Sequence, residues 1–182
     1  MGSGPSTRRQ PSPLVDFYLG TAPDAGGRRI EEIWDWDGSQ LEHVHDFIQW
    51  LFPLQTHSAF NARAPVLSEA EIERFRDSEL LRQRLARSLD TMLRFYGLQL
   101  RRTPQDDPVV EKRPEFISRG TAWLNPGNHN HLRLTRILTS TATLGLHREA
   151  RALQRCLLDL AHEHPEAVTR VTLTFWEGAV PP

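Results

Sequence analysis

The chain has 182 residues with a formal net charge of −1, and 38% of its residues are hydrophobic. This length is enough for one compact domain with a hydrophobic core. The near-neutral charge gives no strong nucleic-acid signal, and no run of ~20 apolar residues predicts a membrane span. The single cysteine, Cys156, excludes an internal disulfide and favours a reducing, cytoplasmic setting. It lies in an apolar pattern, so we interpret it as a core residue.

The first part of the chain combines a polar start with a short aromatic segment. Residues 1–13 are rich in Ser, Pro and Gly, and we interpret them as a disordered tail or a remnant of an expression vector. The segment LVDFYLG (14–20) predicts an extended arm or an edge strand. One helical turn follows in RRIEEIWDWDGS, and Asp37-Gly38 closes it.

The segment LEHVHDFIQWLFP (41–53) predicts a helix over 40–52, which Pro53 ends. At about 100° per residue, a broad apolar arc leaves one narrow polar stripe on this helix. The stripe consists of Glu42, His45, Asp46 and Gln49, and Trp50 flanks the apolar arc. Such a stripe can form an internal hydrogen-bond network, contact a ligand or carry acid–base chemistry, and the residues leave all three interpretations open.

Two helices and a loop are predicted in the middle of the chain. Ser68 and Glu71 have the spacing of a capping box, so a helix should begin at 69 and run to about 76. A second helix should run from 79 to Gly97, where glycine suits a left-handed cap. Residues 101–114 are charged and contain three prolines, and we interpret them as a loop.

The last third of the chain is predicted to be helical. A short helix should cover 114–124. Asn125-Pro126 then has the chemistry of an N-cap and first turn for a helix over 126–144. A further helix spans 147–163, and HEHP (162–165) suits its C-terminus. The segment 166–178 fits either a helix or a strand, and its helical context favours a helix. Residues 179–182 should form a C-terminal tail.

A second polar stripe lies on the predicted helix 126–144. His129, Arg133, Arg136 and Ser140 share one face, and two guanidinium groups there could hold a phosphate or carboxylate. They could equally pair with Glu42 and Asp46 in a buried electrostatic seam. His129 and His131 could bind a metal, but no third ligand has a diagnostic spacing, and we expect no metal and no cofactor.

The sequence resembles the conserved region of the opioid growth factor receptor family. The resemblance rests on DFYLG (16–20), IEEIWDWDGSQLEHVHDFIQWLFP (30–53), FYGLQL (95–100) and HNHLRLTRIL (129–138), and it covers most of 14–178. The chain is most similar to a short, stand-alone form without the tails of the animal receptors. The animal receptor is associated with the nuclear envelope, binds the peptide met-enkephalin and restrains cell proliferation. The resemblance groups one set of residues as a site: Glu42, His45, Asp46, Gln49, Trp50, His129, Asn130, Arg133 and Arg136. His131 stands where the family more often has Asn.

We therefore predict an all-α, single-domain, irregular bundle of about six or seven helices with an extended N-terminal arm. Residues 14–178 should form the domain. Its expected function is that of a soluble binding module for a peptide or small anionic ligand in a polar cleft between helices 40–52 and 126–144. Arg133 and Arg136 would hold a carboxylate, and Trp50 would wall the pocket.

Two other functions are open at this stage. One is an enzyme acting on small molecules, in which Asp46 with His45 or His129 performs acid–base or metal-assisted chemistry. The other is a purely structural interaction domain, in which the two stripes pair with each other. The sequence leaves the oligomeric state open.

Overall fold

The computed structural model describes residues 12–59, 61–103 and 106–182. Over these residues the chain is mostly helical, with ten helices and one two-stranded antiparallel sheet. The first half contains α1 (Pro13–Tyr18), α2 (Ile30–Trp34), α3 (Gly38–His43), α4 (Ile48–Leu51), α5 (Glu69–Asp77) and α6 (Glu79–Phe95). The second half contains β1 (Leu98–Arg101), β2 (Val109–Lys112), α7 (Phe116–Trp123), α8 (His129–Thr143), α9 (His147–Glu163) and α10 (Arg170–Gly178).

The small sheet corrects the all-α prediction and the loop predicted over 101–114. Leu98 pairs with Lys112 and Arg101 with Val109, so the charged, proline-containing segment connects two strands of a hairpin. Gly97 ends α6 with a φ of 76°, which turns the chain directly into β1. Prolines lie beside β2 rather than within it, which is where a paired strand tolerates them.

The N-terminal segment is helical, so the prediction of an extended arm or edge strand over 14–20 is wrong. The Ser12 hydroxyl accepts a hydrogen bond from the Val15 amide at 3.1 Å, and Pro13 occupies the first helical position. Both are start signals of a helix, here a short one. Ser12 and Pro13 thus belong to α1 rather than to the predicted tail. The rest of that tail, residues 1–11, lies outside the described residues.

The predicted helix 40–52 is broken in two. α3 ends at His43, and Val44 adopts an extended conformation with φ −88° and ψ 130°. The guanidinium of Arg133 in α8 accounts for this break. It donates to the carbonyls of Leu41 at 2.8 Å and Val44 at 2.9 Å, which a continuous helix would use in its own ladder. Side chains 42 to 49 therefore do not share one helical face.

Several other helix boundaries agree with the prediction. Ser68 and Glu71 form the expected capping box of α5, and α9 spans the predicted 147–163. Segment 166–178 contains the helix α10, as favoured. The start of α8 differs, because Asn128 rather than Asn125 caps it. Asn125 and Pro126 instead belong to the turn between α7 and α8.

α8 joins the two halves of the fold, since it contacts α6 of the first half and α7, α9 and α10 of the second. Its buried side is linked to its neighbours through tryptophans. The Trp176 indole of α10 donates to the His131 carbonyl at 3.3 Å, and the Trp123 ring of α7 packs edge-on against the His131 ring, with centroids 6.4 Å apart. These large buried rings fix how α7 and α10 lie against α8.

Two further predictions concern Cys156 and the C-terminus. Cys156 is half-buried and packs against the core, and its burial raises the pKa of the thiol to about 12. It thus behaves as a packing residue. The C-terminal residues contact the fold, since Val180 is buried and the Pro181 carbonyl lies 3.0 Å from His147 Nε2. No helix in the described part of the chain is long and apolar enough to cross a membrane.

Candidate ligand-binding cleft

Arg133 ties the α3–α4 segment to α8. Beyond Leu41 and Val44, its guanidinium donates to the Glu42 carbonyl at 3.4 Å and to Asn130 Oδ1 at 3.4 Å. Burial lowers the pKa of Arg133. Its hydrogen bonds go mostly to backbone carbonyls, so the alternative in which Arg133 pairs directly with the carboxylates of Glu42 and Asp46 does not describe this residue. Arg133 serves as a structural cross-link between two segments.

Asn130 and Glu42 complete this polar network. Asn130 is buried, its Oδ1 accepts from the Tyr96 hydroxyl at 3.3 Å, and its Nδ2 donates to Glu42 Oε2 at 3.2 Å. The Glu42 carboxylate also lies 3.4 Å from His129 Nε2. The two predicted stripes therefore do meet, but through an amide, an imidazole and backbone carbonyls rather than through direct Arg–carboxylate pairs.

Two histidines lie at one end of this network, with ring centroids 5.4 Å apart. His45 Nδ1 is 3.2 Å from an Arg133 nitrogen, and a guanidinium can only donate. Nδ1 of His45 is therefore the acceptor, and in the neutral ring Nε2 carries the hydrogen. Burial and the neighbouring Arg133 lower the pKa of His129, whereas the negative charge of Glu42 raises it by a smaller amount. The net effect favours the neutral form of the His129 ring.

Arg136 lies about one turn after Arg133 on α8 but has a different environment. Its guanidinium makes one hydrogen bond, to the Phe52 carbonyl at 3.1 Å, among the residues that the structure describes. Burial lowers the pKa of Arg136, and no neighbouring acid offsets this effect. A guanidinium has five N–H donors, so most of those on Arg136 remain for another acceptor.

A cavity of about 500 Å³ lies beside Arg136. It is bounded by α8, by the segment from His45 to Ser58 and by Phe175 of α10. Its described lining consists of His45, Ile48, Gln49, Leu54, Ser58, His129, Leu132, Arg133, Thr135, Arg136, Thr139 and Phe175. None of these lining residues carries a carboxylate, whereas two carry a guanidinium. We call this cavity the Arg136 cleft.

Five of the nine predicted site residues line the Arg136 cleft: His45, Gln49, His129, Arg133 and Arg136. Glu42 and Asn130 do not line the cleft, but they contact two residues that do: Glu42 lies beside His129, and Asn130 accepts a hydrogen bond from Arg133. The cleft lies between the two segments that the sequence analysis paired, but its walls are largely apolar rather than polar.

Asp46 and Trp50 do not line the cleft. Asp46 forms an ion pair with Arg28 at 2.7 Å, and its side chain is 55% exposed. Trp50 is buried and packs edge-on against Phe17, with centroids 5.3 Å apart. The prediction that Trp50 forms a wall of the pocket is therefore wrong. The helix is interrupted before α4, and the Trp50 side chain is directed into the hydrophobic core.

The geometry gives little support to acid–base or metal chemistry. Asp46 makes its described contacts with Arg28 and Asn61, and none with His45 or His129. Among the described residues, no three His, Cys, Asp or Glu side chains are grouped to hold a metal ion. His131 is buried between Trp123 and Trp176, where its Nε2 lies 3.0 Å from the Trp123 carbonyl.

Sequence reasoning missed several apolar residues of the cleft, above all Leu132 and Phe175. Leu132 is 58% exposed and Phe175 is 52% exposed. Both lie off the buried face of their helices, and a large apolar residue on a polar face is a signal that the sequence does contain. Their convergence on one cavity depends on how α10 packs on α8, which no local pattern encodes.

Comparisons with known proteins identify relatives of the chain. The family model described as the opioid growth factor receptor (OGFr) conserved region matches residues 12–181. The mouse protein named opioid growth factor receptor is 39% identical over 162 residues, which cover 85% of this chain and 24% of the relative. The human protein of that name is 37% identical over 156 residues, covering 83% of this chain and 22% of the relative.

A relative with a different name gives a similar result. Opioid growth factor receptor-like protein 1 of Xenopus tropicalis is 37% identical over 143 residues, which cover 75% of this chain and 27% of the relative. The chain thus spans about a quarter of the length of these curated relatives. No solved structure matches the chain.

Proposed function

Because the chain belongs to the family defined by the opioid growth factor receptor conserved region, we propose that it is a binding domain whose Arg136 cleft takes a peptide or small molecule with an anionic group. The observation that carries this proposal is Arg136 itself. Its guanidinium is partly desolvated, lacks a carboxylate partner among the described residues and lines a cavity of ligand size.

A ligand carboxylate would accept hydrogen bonds from Arg136, which suits bidentate recognition. The Nε2–H of His45 is a second donor in the same lining. The apolar part of the ligand would pack on Ile48, Leu54 and Leu132. Arg133, whose donors the α3–α4 segment uses, would position this wall rather than bind the ligand.

The names of the relatives support a peptide as the ligand, since the mouse protein is named a receptor for an opioid growth factor. The relatives named as receptors are about four times as long as this chain, so receptor activity and signalling are for this chain part of the proposal. A cytoplasmic location is a further part of it, supported by the half-buried, unpaired Cys156.

A pair of small probes tests the proposal. N-acetylphenylalanine carries one carboxylate and one aromatic ring, and N-acetylphenylalaninamide is its neutral match. At about 0.3 kcal/mol for each of ~15 non-hydrogen atoms, the acid should bind with a Kd of about 0.5 mM. In NMR titrations, the acid should shift the amide signals of Leu132, Thr135 and Thr139 and the Hε signal of Arg136.

The amide probe should bind about tenfold more weakly, since it loses a hydrogen bond to a charged group. Shifts confined to residues outside the cleft, or equal affinity for acid and amide, would contradict an anion site at Arg136. Ile117→Gln is a suitable control, because this side chain is 85% exposed and lies outside the lining.

A further inference from the structure

The apolar wall of the Arg136 cleft continues onto the surface of α10. Phe175 lines the cleft, and Val171 lies one turn earlier on the same side of α10 with 66% of its surface exposed. Leu132 of α8 is exposed beside Phe175 in the same lining. We call Leu132, Val171 and Phe175 the apolar rim. A small ligand held by Arg136 would leave most of this rim in water.

The cleft is also long. Its lining on α8 runs from His129 to Thr139, about three turns or roughly 15 Å of helix. A groove of three turns, with apolar side chains on both walls and a cation between them, matches one side of an amphipathic segment rather than a compact molecule.

The walls of the groove determine the backbone conformation of such a segment. α8 and α10 pair their backbone groups internally, as helices do. In the third wall, the segment from His45 to Ser58, α4 does the same, and the carbonyls of Phe52 and Leu54 accept from Arg136 and from the Leu67 amide. The walls therefore offer few partners to an incoming chain. An extended peptide in this apolar groove would leave its own N–H and C=O groups without partners. A helical peptide satisfies these groups itself. The charge of the lining, with two guanidiniums and no described carboxylate, requires an acidic residue on that helix.

From these observations we infer that the Arg136 cleft and the apolar rim together dock an amphipathic α-helix of a partner protein, with its apolar side on the rim and an Asp or Glu on Arg136. This inference rests on the proposed function and adds the conformation and class of the partner. Anchors at i, i+3 or i+4, and i+7 would follow the groove, and the acidic residue would lie at the edge of that stripe.

Selection from a displayed library of random peptides about sixteen residues long tests the inference. The expected result is enrichment of apolar residues with helical spacing and of one acidic residue beside them. A synthetic peptide of an enriched sequence should lose about a hundredfold in affinity when its central position is changed to proline, because proline in a helix interior costs about 3 kcal/mol.

Variants of the protein separate this inference from the proposed function. Val171→Glu should lower the affinity for the enriched peptide at least tenfold. Ile117→Glu makes the same kind of change at an exposed residue outside the groove and should leave the affinity within twofold. Enriched peptides with an alternating pattern, or peptides that depend on Arg136 but not on Val171, would overturn the helix inference and leave the anion site in place. If none of the enriched peptides depends on Arg136 for binding, both the helix inference and the proposed anion site would be overturned.

Discussion

The two arginines of α8 show how one residue type can serve the fold in one place and a ligand in another. Arg133 faces the α3–α4 segment, where backbone carbonyls take its donors. Arg136 faces the cleft and, within the described part of the chain, makes a single hydrogen bond, to the Phe52 carbonyl. Both are desolvated, and both have lowered pKa values. The difference lies in partners, so partners rather than burial or charge distinguish the structural arginine from the candidate binding residue.

The largest expected effect comes from removing the structural arginine. Arg133→Ala would leave the buried carbonyl of Leu41 and the half-buried carbonyl of Val44 without this donor, and we expect the free energy of unfolding to fall by about 3 kcal/mol. Urea denaturation measures this loss. Arg133→Lys should recover only part of it, since an ammonium cannot reach several carbonyls in a fork. A change below about 0.5 kcal/mol would mean that the two arginines do not differ in role.

Asn130 sharpens the same comparison, because it supports Arg133 but not Arg136. Asn130→Leu should lower the free energy of unfolding by about 2 kcal/mol, since it removes the acceptor of the Tyr96 hydroxyl and one of the partners of the Glu42 carboxylate. Binding of N-acetylphenylalanine, measured by NMR on the folded protein, should stay within threefold. If the variant lost more free energy of probe binding than free energy of unfolding, Asn130 would have to contact the ligand in the cleft.

The buried side of α8 should also respond to acid. Burial lowers the pKa of His131, so the unfolded chain binds a proton more readily than the folded one. The contribution to stability is complete above the unfolded pKa of about 6.5 and is lost as the pH falls from there through the folded pKa. Its slope reaches up to about 1.4 kcal/mol per pH unit. Denaturation at pH 7.5 and 5.5 measures it.

His131→Gln is the control for this pH dependence. Gln can donate to the Trp123 carbonyl that His131 Nε2 contacts, but it does not titrate. The variant should therefore lose stability less steeply on acidification than the original protein, with His129 supplying part of what remains. Identical slopes for the two proteins would show that His131 titrates as it does in the unfolded chain.

The smallest effect is expected at Asp46, which lies outside both arginine environments. Asp46→Asn breaks an exposed ion pair with Arg28, and such pairs contribute at most about 0.5 kcal/mol here, given that the carboxylate is 55% exposed. Binding of the acid probe should not change. Loss of probe binding in this variant would show that Asp46 is a ligand-binding residue, as the sequence predicts.

Local signals in the sequence predicted much of the fold. The capping box of Ser68 and Glu71 and the apolar period of 147–163 each have a local physical cause, and the structure confirms them. Ser12 followed by Pro13 is an equally local helix start that the interpretation as a tail overlooked. The hairpin was missed because four-residue strands beside prolines carry little pattern of their own.

The site was harder to predict because it depends on contacts distant in sequence. The break at Val44 results from Arg133, some ninety residues later, so helical periodicity alone extends the helix through it. The same break moves Asp46 to the surface and Trp50 into the core. The two stripes were nevertheless matched correctly as neighbours, since Glu42 meets His129 and Asn130.

The most direct test of the anion site combines both probes with one substitution. The affinities of N-acetylphenylalanine and its amide are measured by NMR titration for the original protein and for Arg136→Gln, whose fold is checked by its unfolding free energy. We predict that the tenfold preference for the acid falls to about one in the variant, while stability falls by about 1 kcal/mol or less. A preference for the acid that persists without Arg136 would contradict the account.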